Sequence, residues 1–307
     1  MNADSRIVDP TRLEGPPGEI RFLFLPQSDL FATRAGRLRR LSADHPMGGY
    51  LAFLAHLAEA QQETLERFPT PPHPGPEGKA LCSGPGRPLP AALSSSRDPA
   101  WREGLAMILR RMEEVALPSQ AQETVAGLLL ATDTELEELA DRVLAGELAD
   151  LAPHKLPFVA AALQVYWVRK AADLVEREVV RQPETCICPV CGLSPVAGIV
   201  HGKGAEHGLR YLCCSLCAAQ WHMERIKCSN CTSSSGIDYY ILEGSNGAVK
   251  AESCDGCGCY LKLFYLEKES GMEAMADDLA SIALDMLMAD EGKVRVGLNL
   301  LLHPGGS

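Results

Sequence analysis

The apolar and polar positions divide this chain into two kinds of region. Over most of the first 180 positions, apolar residues recur at steps of three and four, the period of helices with one buried face. Between 196 and 265 they fall instead into short runs of strand length. Residues 20–25 form a brief apolar run stopped by Pro26, which predicts a strand or an extended arm. A helix follows, capped by Ser28 or Asp29, with Phe31, Ala35 and Leu38 on one face. Arg34, Arg37, Arg39 and Arg40 lie around the rest of it. They read as a solvated face or as a docking patch for an acidic or phosphorylated partner. His45-Pro46 breaks this helix, and a second is expected over 47–68, with Leu51, Leu54 and Ala58 on one side and His56 in a solvated or structural role.

Residues 69–99 hold nine prolines and read as a loop carrying a lone bystander thiol, Cys82. Helical patterns resume over 100–115, 119–131 and 134–145. Thr132 or Asp133 caps the last, and Glu135, Glu137 and Glu138 sit near its positive end. The strongest pattern covers 157–180: Phe158, Ala161, Val165, Val168, Ala172, Val175 and Val179 predict the central helix of the bundle. After the strand region, Met272, Met275, Leu279, Ile282 and Met286 predict one C-terminal helix packing back on that bundle, followed by an apolar tail over 294–302.

Cysteine spacing changes the picture of the strand region. Four Cys-x-x-Cys pairs stand at Cys188/Cys191, Cys214/Cys217, Cys228/Cys231 and Cys254/Cys257. The second set of four is the first with forty added to each number, so the unit is a tandem repeat. Two cysteines separated by two residues turn both sulfurs toward one point, and two such pairs complete a tetrahedral shell for zinc or a single iron. Each 22-residue spacer accommodates a strand, a turn and a return strand: 196–200 with 209–212, then 237–242 with 248–252. A third strand follows each unit, at 220–223 and 260–265, with Arg210 aligned to Lys250 and Trp221 to Leu261. A unit of about 35 residues has too little core to fold alone, so metal binding and folding are linked. Cys186, Cys213 and Cys259 lie outside the repeat and read as packing or surface thiols; with four cysteines per unit, His201, His207 and His222 are not needed as ligands.

The expected fold class is therefore α+β: a mainly helical N-terminal domain over 1–182, a first metal module over 183–225, a second over 226–270, and a C-terminal helix and tail over 271–307. Composition narrows the function. The formal charge is −11, and residues 183–270 hold seven Lys/Arg against nine Asp/Glu, so the ribbon region lacks the basic face of a nucleic-acid binder. Abundant cysteine in metal spacing points to a reducing compartment. The first residues show no signal peptide, Arg39-Arg40 is followed by no apolar run, and residues 156–168 are too short to span a bilayer, so a cytoplasmic protein is expected. No catalytic triad, phosphate loop or paired-carboxylate signature stands out.

Three stretches carry a resemblance to a known family. They are Ile20-Arg-Phe-Leu-Phe-Leu-Pro26 with Arg34-Ala-Gly-Arg-Leu-Arg-Arg-Leu-Ser-Ala-Asp-His-Pro46; Gly49-Tyr-Leu-Ala-Phe-Leu-Ala55 with Ala60-Gln-Gln62; and the cysteine region from Cys188-Pro-Val-Cys-Gly to Glu252-Ser-Cys-Asp-Gly-Cys257. Together they resemble the formate dehydrogenase accessory protein family, FdhE. That resemblance implies a non-enzymatic cytoplasmic maturation factor for respiratory formate dehydrogenase. Its partner is the catalytic subunit, with its twin-arginine signal, molybdenum cofactor and iron-sulfur cluster. It implies rubredoxin-like knuckles at the eight paired cysteines and two metal ions per chain, with iron favoured and zinc the alternative. A homo-oligomer is left open. The competing functions are a rubredoxin-like electron carrier and a zinc-ribbon binding module whose metals are purely structural. Thiol-disulfide exchange is disfavoured, because a coordinated thiolate is not free to attack.

Overall fold

The computed structural model describes residues 20–69, 92, 97–148, 151–174, 179 and 186–302. Residues 1–19, Cys82, Val175, Val180 and most of the proline-rich stretch lie outside the described residues. The helical body comprises α1 (Leu30–Ser42), α2 (Gly48–Arg67), α3 (Ala100–Glu113), α4 (Ser119–Leu129), α5 (Asp133–Ala145) and α6 (Leu156–Ala172). Helix α1 packs on α2, and α6 lies against α2, α3 and α5. Asp29 precedes α1 without donating or accepting a capping bond through its side chain. The start of α5 is better built: Thr132 and Glu135 form a reciprocal capping box, and Gly146 ends the helix at φ 74°.

Helix α6 departs from its expected form. Every residue from Leu156 to Val168 is buried, so the helix has no polar face, whereas Ala172 is exposed at its end. The three-four seam is one stripe of a helix wrapped on all sides, which is the pattern of a bundle's centre. The described helix stops at Ala172 rather than continuing to 180.

The strands are β1 (Leu23–Phe24), β2 (Pro195–Val200), β3 (Arg210–Cys214), β4 (Gln220–His222), β5 (Ile237–Tyr240), β6 (Val249–Cys254), β7 (Cys259–Tyr265) and β8 (Val294–Arg295). Each repeat forms an antiparallel meander, β2-β3-β4 and β5-β6-β7, as the spacing predicts. Trp221 faces Leu212 and Leu261 faces Glu252, so the forty-residue alignment holds in space. The meanders do not stand apart. β2 pairs parallel with β7, and one sheet of order β1-β4-β3-β2-β7-β6-β5 results, with β8 also on β7. At their junction Gly198 allows the strands to close, because a Cβ there would meet Leu263 Cδ2 at 2.5 Å. A buried ion pair also crosses it: Arg210 on β3 reaches Glu252 on β6 at 2.5 Å, with side chains 0% and 2% exposed.

The C-terminal segment is two helices, α7 (Ala274–Ala280) and α8 (Ile282–Asp290), rather than one. Helix α7 packs on α1, β2 and β7, whereas α8 packs on β6 and β8. Only the first half of the methionine stripe therefore returns to the bundle. Met272 and Met275 are buried there, while Met286 is 66% exposed. The tail contributes β8 and the buried Leu300 and Leu301.

The arginines of α1 also need correction. Arg34 and Arg37 are buried, neither solvated nor free for a partner. Arg34 Nε donates to Glu273 at 3.1 Å, and Arg37 Nε to both carboxylate oxygens of Asp277 at 3.0 and 3.1 Å. Arg39 pairs with Glu59. The target of Arg34 and Arg37 is α7 and its cap, some 240 residues away in sequence and invisible to local pattern.

Candidate metal centres

Each Cys-x-x-Cys pair sits on a tight turn with the same construction. In the first, Gly192 N donates to Cys188 O at 2.9 Å; in the third, Thr232 N donates to Cys228 O at 3.1 Å; in the fourth, Gly258 N donates to Cys254 O at 2.9 Å. Backbone N–H groups also point at sulfur: Val190 N to Cys188 Sγ at 3.4 Å, Leu216 N to Cys214 Sγ at 3.4 Å, and Asn230 N to Cys228 Sγ at 3.3 Å. Such bonds favour thiolate over thiol. The residue after the second cysteine of every pair is left-handed: Gly192 at φ 81°, Ala218 at 57°, Thr232 at 62° and Gly258 at 70°. Ala218 and Thr232 are the non-glycine residues with positive φ among those described. The turn forces that conformation even where a Cβ opposes it.

These turns bring the eight cysteines together as two sets, Cys188/Cys191/Cys214/Cys217 and Cys228/Cys231/Cys254/Cys257, with all sulfurs of a set within 4.8 Å of one another. In the first set Cys188 and Cys217 approach to 3.5 Å and Cys191 and Cys214 to 3.3 Å. In the second, Cys228–Cys257 and Cys231–Cys254 are both 3.7 Å. A tetrahedron with bonds of about 2.3 Å has edges of about 3.8 Å, so both sets match a four-thiolate shell. The chemistry of the donors fits the group as well. Burial pushes the Cys191 and Cys217 thiols well up, because several thiolates cannot share a dry site without a cation. Four sulfurs would fill the coordination sphere and leave no open position for substrate. Bound iron would add a one-electron change; bound zinc would not.

The sets differ in their surroundings. All four sulfurs of the first belong to buried residues, whereas in the second Cys231 is exposed and Cys257 half-buried. Cys259 lies beside the second set, its Sγ accepting from Asn230 Nδ2 at 3.3 Å and donating to Cys257 O at 3.6 Å. Burial opposes ionisation of Cys257, but the Cys259 backbone and the Asn230 amide outweigh it and draw the thiol down to about 7. Cys213 is buried and turned out of the first set, bonding only weakly to Cys214 O at 3.9 Å. Cys186 is half-buried and belongs to neither set. His201 stacks on Phe24 and tilts against Tyr211, whose ring also meets His222 edge-on. Among the described residues neither histidine joins a candidate metal group, and nor does His207.

Sequence reasoning missed the residues that tie the first set to the bundle. Gln164 is a polar residue inside the apolar run 156–168. Its Nε2 donates to Ser215 O, inside the Cys214–Cys217 turn, at 2.8 Å. Its Oε1 accepts from Arg34 Nη1 at 3.0 Å and Gln61 Nε2 at 3.1 Å. Arg34 continues to Glu273, whose other oxygen accepts from Met275 N and Ala276 N at the start of α7. A lone glutamine and an arginine within otherwise apolar helix faces were the available signal. Ala92, in the proline-rich stretch, seals another side by donating to Cys191 O at 3.1 Å.

A helical body bearing one sheet with two four-thiol centres defines a class of candidate metal-binding proteins. The comparisons with known proteins make the assignment specific. Three family models match in succession: FdhE N-terminal over residues 20–184, FdhE central domain over 187–225 and FdhE C-terminal domain over 226–302. The chain belongs to the FdhE family. It is 41% identical over 300 residues to the Protein FdhE homolog of Edwardsiella ictaluri, covering 97% of this chain and 96% of that one. It is 37% identical over 301 residues to the homolog of Stutzerimonas stutzeri, covering 97% and 98%. The crystal structure of the FdhE protein from Pseudomonas aeruginosa aligns with TM-score 0.83 at 38% identity, over 93% of this chain and all of that one.

Proposed function

We propose that this protein is a non-enzymatic maturation factor for respiratory formate dehydrogenase. It binds the catalytic subunit in the cytoplasm and carries two metal ions on its eight paired cysteines. The single observation that carries this reading is the convergence of both cysteine sets in a chain that matches the FdhE family along almost its whole length. The division into a helical domain over 1–182, metal modules over 183–225 and 226–270, and a C-terminal segment over 271–307 belongs to the same reading. A closed four-thiolate shell supports a role in binding and stabilising rather than in turning over a substrate. No helix among the described residues is long and apolar enough to cross a membrane.

The test is a pull-down of the metallated protein from cells making formate dehydrogenase, with metal analysis of the same sample. The catalytic subunit is expected in the bound fraction, and Cys188→Ser and Cys254→Ser variants are expected to lose enzyme activation. A folded variant that fully supports activation would remove the metal centres from the mechanism.

A second reading, electron transfer, is favoured by one observation: Cys231 brings the second centre to the surface. It requires iron. Anaerobic metal analysis and visible absorption separate the cases, and a colourless protein with stoichiometric zinc after iron-replete, zinc-limited growth excludes the carrier.

A further inference from the structure

The two ends of the sheet are finished differently. At one end β4 carries β1 on its outer side, through Leu23↔Trp221 and Phe24↔Gln220. At the other end stands β5, with no strand among the described residues on its outer side. The internal repeat shows what such an edge accepts. The counterpart of β5 is β2, and β2 holds β7 in parallel, with Gly198 opposite Leu263 and Val200 opposite Tyr265.

The correspondence can be made residue by residue. A register irregularity between Pro195 and Ala197 shifts β2 by one place, so the match is set by the partner strand. Gly198 faces Leu212 and Tyr239 faces Glu252; 212 and 252 are equivalent in the repeat. Val200 faces Arg210, whose equivalent Lys250 lies opposite the place of Ile241, one residue beyond the Tyr240↔Ala251 pair. Tyr239 and Ile241 thus stand where Gly198 and Val200 meet β7. The ladder agrees. Asp255 N donates to Gly236 O at 2.8 Å, which places the bonded pairs at 236, 238 and 240. The backbone N–H and C=O groups of Ile237, Tyr239 and Ile241 therefore face outward.

This edge is short, with four residues in β5, and carries none of the other usual protections. Exposed edges are normally blunted by lysine, proline or a covering element. Residues 229–249 contain no Lys, Arg or Pro. Tyr239 is 48% and Ile241 50% exposed, an apolar pair on an open edge. The exposed charges of this edge segment are the carboxylates of Asp238 and Glu243, while Lys250 reaches the Tyr239 ring at 6.0 Å from β6 on the inner side. Edge to edge with a second copy, these carboxylates meet their own kind only in a register centred on one of them, and their repulsion disfavours that register. A basic strand meets them with the opposite sign.

We propose that the outer edge of β5 is a docking site for a basic, extended segment of another polypeptide, which adds to the sheet as a parallel strand. The bound segment runs along the rim of the second cysteine set, because Cys254 faces Ile237 in the ladder and exposed Cys231 precedes β5. The site also dictates a side chain. In the internal junction glycine at 198 makes room for Leu263; here the bulk lies in Tyr239, so the incoming residue opposite it must be small. Main-chain bonds supply affinity and that small position supplies selectivity.

The probe is a fluorescein-labelled peptide, Lys-Tyr-Leu-Lys-Ala-Phe-Tyr-Lys, patterned on β7 with alanine at the place of Leu263. It is titrated into the metallated full chain by fluorescence anisotropy, with hydrogen exchange read at individual amides. Saturable binding with protection at Tyr239 and Ile241 is expected. Tyr239→Pro removes an outward N–H, which an edge strand tolerates, together with the hydroxyl that donates to Glu252 at 3.0 Å, and weakens binding about tenfold or more with metal content unchanged. Ile241→Pro gives the same readout if the first variant misfolds. Asp238→Lys with Glu243→Lys weakens binding most at low salt, and restoring leucine in the peptide weakens it too. No saturation at millimolar peptide, protection confined to other strands, or self-association in sedimentation that Tyr239→Pro abolishes would each overturn the proposal; the last makes a second copy the occupant.

Discussion

The two cysteine sets have the same spacing and the same turns, yet they occupy different environments. The first lies between the sheet and the bundle, with Gln164 holding Ser215 O and Ala92 holding Cys191 O. The second lies at the far side of the sheet, where Cys231 is exposed and α8 packs on β6. The repeat builds two equivalent shells. What packs on them makes one a keystone of the fold and the other a site open to solvent. The distinction arises from packing, since the first set lies against the bundle and the second is held away from it by a further meander.

The largest effect expected is a difference between equivalent substitutions. Cys188→Ser leaves three buried sulfurs without a closed shell and forfeits much of the roughly 10–16 kcal/mol that a structural metal can supply. Cooperative melting by far-ultraviolet circular dichroism should disappear. Cys231→Ser should leave the bundle's melting transition in place while metal content falls from two ions to one. Equal damage from both would erase the contrast.

The link between bundle and sheet comes next. Arg34→Ala leaves Glu273 and Gln164 buried without their cationic donor and should cost about 3–5 kcal/mol in urea unfolding. Gln164→Leu should cost less, about 1–3 kcal/mol, for the unsatisfied Ser215 carbonyl and Arg34 guanidinium. It sharpens the comparison further. Chelator-driven metal release, followed with a metallochromic dye, should be faster from the first centre of that variant and unchanged at the second. In the native chain the second centre should release first.

The smallest effect concerns the turns themselves. Thr232 is β-branched and left-handed at φ 62°, where the matching place in the first repeat carries Gly192. Thr232→Gly should stabilise the second centre by about 0.5–1 kcal/mol, since relief of the strain exceeds the added freedom of the unfolded chain. Gly192→Ala should act in the opposite direction. Chemical denaturation of the metallated protein measures both.

Local chemistry explains why so much of this architecture was readable. The Cys-x-x-Cys turns, the meander strands and the capping box at Thr132 each depend on residues within a few places of one another. The FdhE resemblance rested on the cysteine region and on stretches between residues 20 and 62, and the family models match them. Long-range contacts escaped for the converse reason. Arg34 and Arg37 looked like a surface because an arginine on a helix is usually solvated; their carboxylates sit on α7, at 273 and 277. The methionine stripe looked like one helix because periodicity does not register the break at Ser281, where the chain turns from the bundle to the sheet.

The sequence by itself determined two four-cysteine units, their internal strands and the helical body that precedes them. Spacing and periodicity are local properties, and the turn geometry they encode is independent of what lies beyond. Only the tertiary structure decided that the units share one sheet, that one thiol set is sealed while the other reaches the surface, and that β5 has no outer neighbour among the described residues. Those outcomes depend on which surfaces meet. Burial and strand pairing between distant segments are settled by packing, and two identical spacings carry no record of it.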